Sequence, residues 1–370
     1  MATVAQTQET KARTSGNWGR WIQGAAWALA LICVLGLPTL FSDGASTNIG
    51  FYVLVFAASA SAWNIFSGYS GYIALGHAVF FGLGQYILAI LCQELHIPGG
   101  YQVFYYMPLA ALITAIIAIP LGFIALRTRR HTFIVITIAF VFIFQLLAEN
   151  NIFGLTNGLK GLEFPIPPWF GDFYNLPFYY IMAGILIIIV LVSTLIRHSK
   201  YGLELLAIRD DEDRALGLGV RTGFLKLSAF VISAFFVAIC GAMSGYYIES
   251  VYPAAGQSTG FSPLLDVVIA LMVFLGGLGT ISGPLIGAVI IEYSYLYLND
   301  TLGVTGWNLI LYGAIFLGII LLLPQGIVPA LGQLFARLRK VNANQHLVAG
   351  PRETPTEPTP TNITPATQAE

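Results

Sequence analysis

Apolar runs close to the ~20 residues needed to cross a hydrocarbon core recur along this chain. That recurrence constrains the fold more than any single motif. In lipid, backbone N–H and C=O groups must find partners within the protein, so only helices and closed barrels span a bilayer. The runs are helix-length, whereas barrel strands would alternate over about ten residues. The chain is therefore read as an all-α integral membrane protein. Composition agrees: 56% of residues are hydrophobic, 9% are charged, and mean hydropathy is +0.76. A soluble domain carries roughly 25% charged residues.

The spans are placed at about 24–41, 49–66, 77–92, 104–126, 133–148, 178–196, 224–247, 264–275, 284–298 and 308–323, ten in all. The runs at 77–92 and 264–275 are short, which predicts tilted, broken or re-entrant segments. The run from Gly24 to Phe41 is longer than a signal-peptide core and is read as a retained first span. Lys and Arg favour the cytoplasmic side of membrane loops. With the N-terminus inside, ten crossings put sixteen of the seventeen basic residues on that side; Lys160 is the exception. A miscount by one would scatter them over both faces, so both termini are expected in the cytoplasm. The domain reading is a polar tail at 1–23, a transmembrane domain at 24–336 and a disordered Pro/Thr-rich tail at 337–370. The outer loop 149–177 is expected to be an irregular or short-helical cap. Cys33, Cys92 and Cys240 lie far apart in or beside apolar runs and read as small buried hydrophobes.

A charge at a helix centre costs about 2.5–3.5 kcal/mol on insertion scales, and this chain mostly avoids that cost. Asp266 and Glu292 are the only acids inside the spans, Asp266 near the outer end of its own. His77 opens the third span, and Asn64, Gln85 and Gln145 lie in others. For these groups an interhelical hydrogen bond is the first reading and the lining of a polar pathway the second. Glycine is more informative. Gly68 to Gly84 reads GYSGYIALGHAVFFGLG, and Gly276 to Gly287 reads GGLGTISGPLIG. Both clusters fall at an inner turn between two spans, where broken helices are tolerated if they face protein or a cavity. Asn64, Gly71, Gly76, His77, Gly276, Gly279, Gly283 and Pro284 are the candidates for a pathway or helix break. Close packing accounts for the GxxxG pairs Gly241/Gly245 and Gly283/Gly287. Gly256 to Gly260 matches the GxSxG hydrolase elbow only as letters, with no strand context or nearby histidine. There is no Walker A sequence, so any ATP must be bound by another chain.

The longest inner loop, about 197–226, concentrates charge. Ala207 to Gly219 reads AIRDDEDRALGLG. Asp210 is expected to cap a short helix, with Asp213 at the capping-box position and Arg214 paired to Asp210. Gly217 and Gly219 are expected to end it. Taken alone, this stretch is either a solvated loop or the docking point of a cytoplasmic partner.

Here the chain resembles a family. The pattern Ala207-Ile208-Arg209-Asp210, Glu212, Arg214-Ala215, Gly219 and then Lys226 is similar to the coupling loop of the permease subunits of ABC importers of the branched-chain amino-acid and urea/amide class. Gly68-Tyr-Ser-Gly71, Leu75-Gly76-His77, Phe81-Gly82, Thr156 to Gly161, Gly276 to Pro284 and Pro324-Gln-Gly326-Ile327 match the same family in order, over about residues 49–330. The resemblance is to its longer, M-type permease. Ala74 stands where serine is usual, Asn157 replaces a glycine, and Val268 stands where an acid is usual. The resemblance implies a non-enzymatic transport subunit in the plasma (inner) membrane of a prokaryote, with no cofactor of its own. It implies a second homologous permease, two cytoplasmic ABC ATPases that bind ATP and Mg, and an extracytoplasmic solute-binding protein as partners, with lipid around them and no nucleic acid. Arg209, Asp210, Glu212, Arg214, Ala215 and Gly219 would then contact the ATPase. The alternative is an ion-coupled secondary transporter of small solutes.

Overall fold

Eight of the ten apolar runs coincide with helices. The computed structural model of the chain describes residues 44–169, 174–255, 259–302 and 326–333, with isolated positions 36, 313, 314 and 318. The spans expected at 24–41 and 308–323 lie almost wholly outside the described residues, and the polar tails at 1–23 and 337–370 lie entirely outside them. The helices are α1 (Gly44–Trp63), α2 (Ala78–Glu94), α3 (Tyr101–Ala125), α4 (Arg130–Glu149), α5 (Asn175–His198), α6 (Lys200–Asp210), α7 (Glu212–Gly217), α8 (Thr222–Ile248), α9 (Pro263–Gly276) and α10 (Gly283–Leu302). Contacts divide the chain into Met1–Val328 and Pro329–Glu370. In the second unit, residues 329–333 are helical.

Among the described residues, five helical stretches are long and apolar enough to cross a membrane: Thr47–Gly68, Tyr101–Ala125, Arg130–Glu149, Asn175–His198 and Thr222–Ile248. The apolar helices Ala78–Glu94, Pro263–Gly276 and Gly283–Leu296 are shorter. At 1.5 Å per residue α9 rises only about 21 Å, less than the ~30 Å of a hydrocarbon core. Irregular backbone makes up the difference. After α1 the helix loosens into a single π turn, Asn64–Gly68, and residues 71–77 follow outside any helix before α2 begins.

Hydrogen bonds between non-adjacent elements define two ends of the bundle. At one, β1 (Leu162–Glu163) pairs antiparallel with β2 (Ser250–Val251), and β3 (Ala254–Ala255) pairs with β4 (Thr259–Gly260). These two-residue ladders were not expected of an all-α chain. The first ties the long loop after α4 to the end of α8, and the second closes a hairpin in the loop between α8 and α9. The Tyr246 hydroxyl accepts from Gly100 N–H at 2.7 Å, and the Tyr174 hydroxyl donates to Glu249 at 2.9 Å. A single-turn 3₁₀ helix, Gly158–Lys160, fits the short-helical cap expected in that loop. The other end carries α6 and α7.

Because lipid is as apolar as the side chains, helix association in a bilayer rests on packing and hydrogen bonds. The sequence meets that need with small residues. Ala57 to Ala62, AASASA, is buried throughout on α1. Helices α2 and α8 cross backbone to backbone: a Cβ on Gly84 would lie 2.1 Å from the Ala238 carbonyl oxygen, and one on Gly241 would lie 2.0 Å from that of Phe81. The α9–α10 hairpin closes the same way, with Gly287 against the Met272 carbonyl at 1.8 Å. The close-packing reading of Gly241 and Gly287 thus holds. Outward, α3 exposes Tyr105, Leu109, Leu112, Ile116, Ile119 and Phe123, a stripe at helical spacing. Cys92 and Cys240 are free and buried, as expected. Cys33 lies outside the described residues.

Candidate functional site

The charged loop folds as two helices rather than one. Ser199 caps α6, accepting from Gly202 N–H at 3.2 Å, and α6 runs to Asp210. The cap of α7 is Asp211, one residue beyond the Asp210 expected. Asp211 has extended backbone (φ −156°, ψ 107°), and its carboxylate accepts from Arg214 N–H at 3.1 Å. Asp210 is still helical, so it has neither the backbone nor the position to cap. Arg214 accordingly pairs with Asp211, at 2.9 Å, instead of Asp210. Gly219 ends the helix as expected, with φ +89°, while Val220 N–H bonds back to the Ala215 carbonyl at 3.1 Å. Gly217 is the last helical residue.

Arg130, Lys226, Tyr72 and Glu212 form one set of contacts that fastens this loop to the bundle. Arg130, at the start of α4, donates through Nη2 to the carbonyls of Ile208 (3.0 Å) and Arg209 (2.9 Å), satisfying the end of α6. Lys226, in the first turns of α8 and only 6% exposed, meets Glu212 Oε1 at 2.5 Å. The Tyr72 hydroxyl donates to the other Glu212 oxygen, and the Lys226 ammonium lies 4.5 Å from the centre of the Tyr72 ring. Burial pushes the Glu212 carboxyl up, but Lys226, Tyr72 and Arg130 outweigh it and hold it below its ordinary 4.5. Burial, with Glu212 beside it, raises the Tyr72 hydroxyl. A depressed carboxyl contributes its full stability above its unfolded value and loses it as the pH falls through the folded one. Hydrogen exchange of α7 amides, corrected for intrinsic rates, is therefore expected to stay flat from about pH 8 to about pH 5 and to rise below about pH 4.

The fastened loop sits against both glycine clusters. The Asn64 side chain spans them: its amide donates to the Thr280 carbonyl at 2.9 Å, and its carbonyl accepts from Gly279 N–H at 2.9 Å. Gly71 and Gly279 adopt φ of +73° and +75°, values that disfavour any side chain. The backbone from 71 to 77 is held by side chains rather than by helical bonds. Trp63 Nε1 donates to the Ala74 carbonyl at 2.7 Å, Ser67 Oγ accepts from Ala74 N–H at 3.2 Å, and Thr137 Oγ1 accepts from Leu75 N–H at 3.2 Å. A Cβ on Gly76 would lie 2.5 Å from the Thr137 carbonyl oxygen. Where α2 begins, both Asp266 oxygens accept from Ala78 N–H at 3.1 Å, and His77 Nε2 lies 2.8 Å from Ser233 Oγ. Asp266, in the first turn of α9, thus caps the N-terminus of α2. For Asn64, His77 and Asp266 the interhelical hydrogen bond is the reading that fits. Gly276, Gly279, Gly283 and Pro284 are buried in the second break, and Glu292 is buried on α10.

The loop residues sort into two groups. Asp210, Arg214 and Gly219 are exposed, together with Leu216 and Leu218, which are 59% and 85% exposed. Arg209 and Glu212 turn toward the bundle, and Ala215 is buried at 2%. In this chain those three side chains are engaged with the bundle. Sequence reading missed Tyr72 and Arg130 as parts of this site, and it placed Lys226 in the loop pattern without a partner. Lys226 carried a signal: a lysine in the first turn of an apolar span needs a partner acid.

Among the described residues, eight apolar helices and two broken segments surround a charged loop that packs against both breaks. The chain belongs to the family described as branched-chain amino acid transport system / permease component, whose model matches residues 46–320. It is an ABC permease. It is 26% identical to the high-affinity branched-chain amino acid transport system permease protein LivM of Salmonella typhimurium (strain LT2), over 81% of this chain and 73% of that protein. LivM of Escherichia coli (strain K12) matches to the same extent. The ribose import permease protein RbsC of Bacillus subtilis (strain 168) is 30% identical over 36% of this chain and 41% of its own length. No solved structure matches the chain.

Proposed function

We propose that this chain is a transmembrane permease subunit of an ATP-driven importer for branched-chain amino acids, in the plasma (inner) membrane of a prokaryote. It spans the membrane about ten times, with both termini and the α6–α7 loop in the cytoplasm. A second homologous permease completes the pathway, two ABC ATPases supply ATP and Mg, and an extracytoplasmic binding protein delivers solute. The observation that carries the reading is the placement of one charged loop against both glycine breaks, hydrogen-bonded to the first at Gly68 and packed against Gly279 of the second. A force applied to that loop reaches the two places where the helices are already discontinuous. The basic residues support the orientation: Arg127, Arg129, Arg130, Arg197, Lys200, Arg209, Arg214, Arg221 and Lys226 all lie in or beside connections at the α6–α7 end. Asp210, Arg214, Leu216 and Leu218 are the proposed contact face for an ATPase; Glu212, Ala215 and Gly219 hold that face in shape, while Arg209 faces the bundle. Amino acids are preferred over sugars because the LivM relatives match 81% of the chain and the ribose relative 36%.

Transport energetics test this. In proteoliposomes holding the assembled complex and internal ATP, leucine uptake is expected to fall at least about tenfold with vanadate, to survive a protonophore, and to ignore excess ribose. Uptake abolished by the protonophore and indifferent to vanadate would assign the chain to the ion-coupled carriers.

A further inference from the structure

Arg209 was read from sequence as a contact for a partner, yet its guanidinium points the other way. Nη1 donates to the Gly68 carbonyl at 2.8 Å, at the end of the π turn that follows α1. The slot around the side chain has walls made of glycine from both breaks. A Cβ on Gly71 would lie 2.8 Å from Arg209 Cγ and 3.3 Å from its Cα, and one on Gly279 would lie 2.3 Å from Nη1 and 2.9 Å from the Gly68 carbonyl. Side chains at either position would fill the space the arginine occupies. Asn64 binds the second break to the first beside this slot, through Gly279 N–H and the Thr280 carbonyl. The Arg209 carbonyl is in turn gripped by Arg130 of α4. One residue of the loop therefore touches the α1–α2 break, the α9–α10 break and the foot of α4.

We propose that Arg209 is a positioning residue that carries movement of the α6–α7 loop to both glycine breaks at once. This rests on the reading of α6–α7 as the ATPase-coupling element. A planar guanidinium suits the role because it fills a flat slot while donating to a carbonyl; a lysine ammonium is a point charge on a flexible stem and fills it less well. The glycines at 71 and 279 are then required twice, for their positive φ and for the room they leave.

The test uses the complex with its ATPases and binding protein in proteoliposomes. A nitroxide on Ser282→Cys reports the second break, and leucine uptake per ATP hydrolysed reports coupling. In the wild type the label should respond to ATP. Arg209→Ala should keep its ATPases and hydrolyse ATP within about twofold of wild type, lose the label's response, and lower uptake per ATP at least tenfold. Arg209→Lys should fall between. Gly279→Ala, which leaves Arg209 in place but crowds its slot, should reproduce Arg209→Ala, and the double variant should be no worse than either single one. The pin is overturned if Arg209→Ala keeps a wild-type label response and coupling, or if it loses its ATPases, which would make Arg209 a docking contact. A wild-type complex in which ATP moves neither label nor leucine overturns the coupling reading itself, and the pin with it.

Discussion

Valine at Gly84 or Gly241 is expected to prevent stable folding of the bundle. Overpacking a core costs about 1–3 kcal/mol when neighbouring side chains can give way. Here the obstacle is backbone: the added carbon would meet the Ala238 carbonyl at 2.1 Å or the Phe81 carbonyl at 2.0 Å. The α2–α8 crossing would have to open as a whole, so the cost should lie at or above the top of that range. Total stabilities are about 5–15 kcal/mol, so little protein should survive in the membrane fraction. Gly184→Ala is the control. Nothing lies within 4 Å of its added carbon, and it sits inside α5, where alanine is the better helix former by up to about 1 kcal/mol. It should raise the thermal midpoint in detergent while Gly84→Val and Gly241→Val abolish a cooperative transition. Near-normal accumulation of both valine variants would show that the helices do not cross this closely.

The second large effect concerns the Glu212–Lys226 pair, whose side chains are 26% and 6% exposed. Removing one partner of a buried pair is strongly destabilising, about 3–5 kcal/mol, because a charge is left without compensation. Glu212→Leu leaves the Lys226 ammonium buried beside the Tyr72 ring, and should approach that cost. Lys226→Met is expected to be milder, because Glu212 keeps Tyr72 and Arg130. The double variant should recover most of the loss, since an apolar replacement of both partners is often neutral. Detergent melting of the four proteins gives the coupling energy. Additive single effects would mean that the pair does not act as a unit.

The spans were legible because a bilayer demands long apolar runs, and the long runs at 104–126, 178–196 and 224–247 became α3, α5 and α8 with shifts of a few residues. The glycine breaks were legible for the complementary reason: runs dense in glycine do not continue a helix cheaply. The cap of α7 was not. Asp210, Asp211, Glu212 and Asp213 are four adjacent acids, and only the backbone bend selects Asp211. The inward direction of Arg209 and Glu212 was hidden too. On a loop of two short helices, facing depends on Gly68, Tyr72 and Lys226, which are distant in sequence or lie in another helix. The small ladders at the opposite end comprise two-residue strands, too short to leave an alternating pattern.

The central claim is that this permease is driven through its α6–α7 loop by separate ATPases. It is tested most directly by purifying the tagged chain from its native membranes and assaying the eluate for ATP hydrolysis. An ATPase activity should co-elute with the wild-type chain. That activity should be lost from Leu216→Glu/Leu218→Glu, which alters only exposed side chains, while the variant accumulates in the membrane as before. An eluate without ATPase activity from the wild type, or one unchanged in the variant, would contradict the claim.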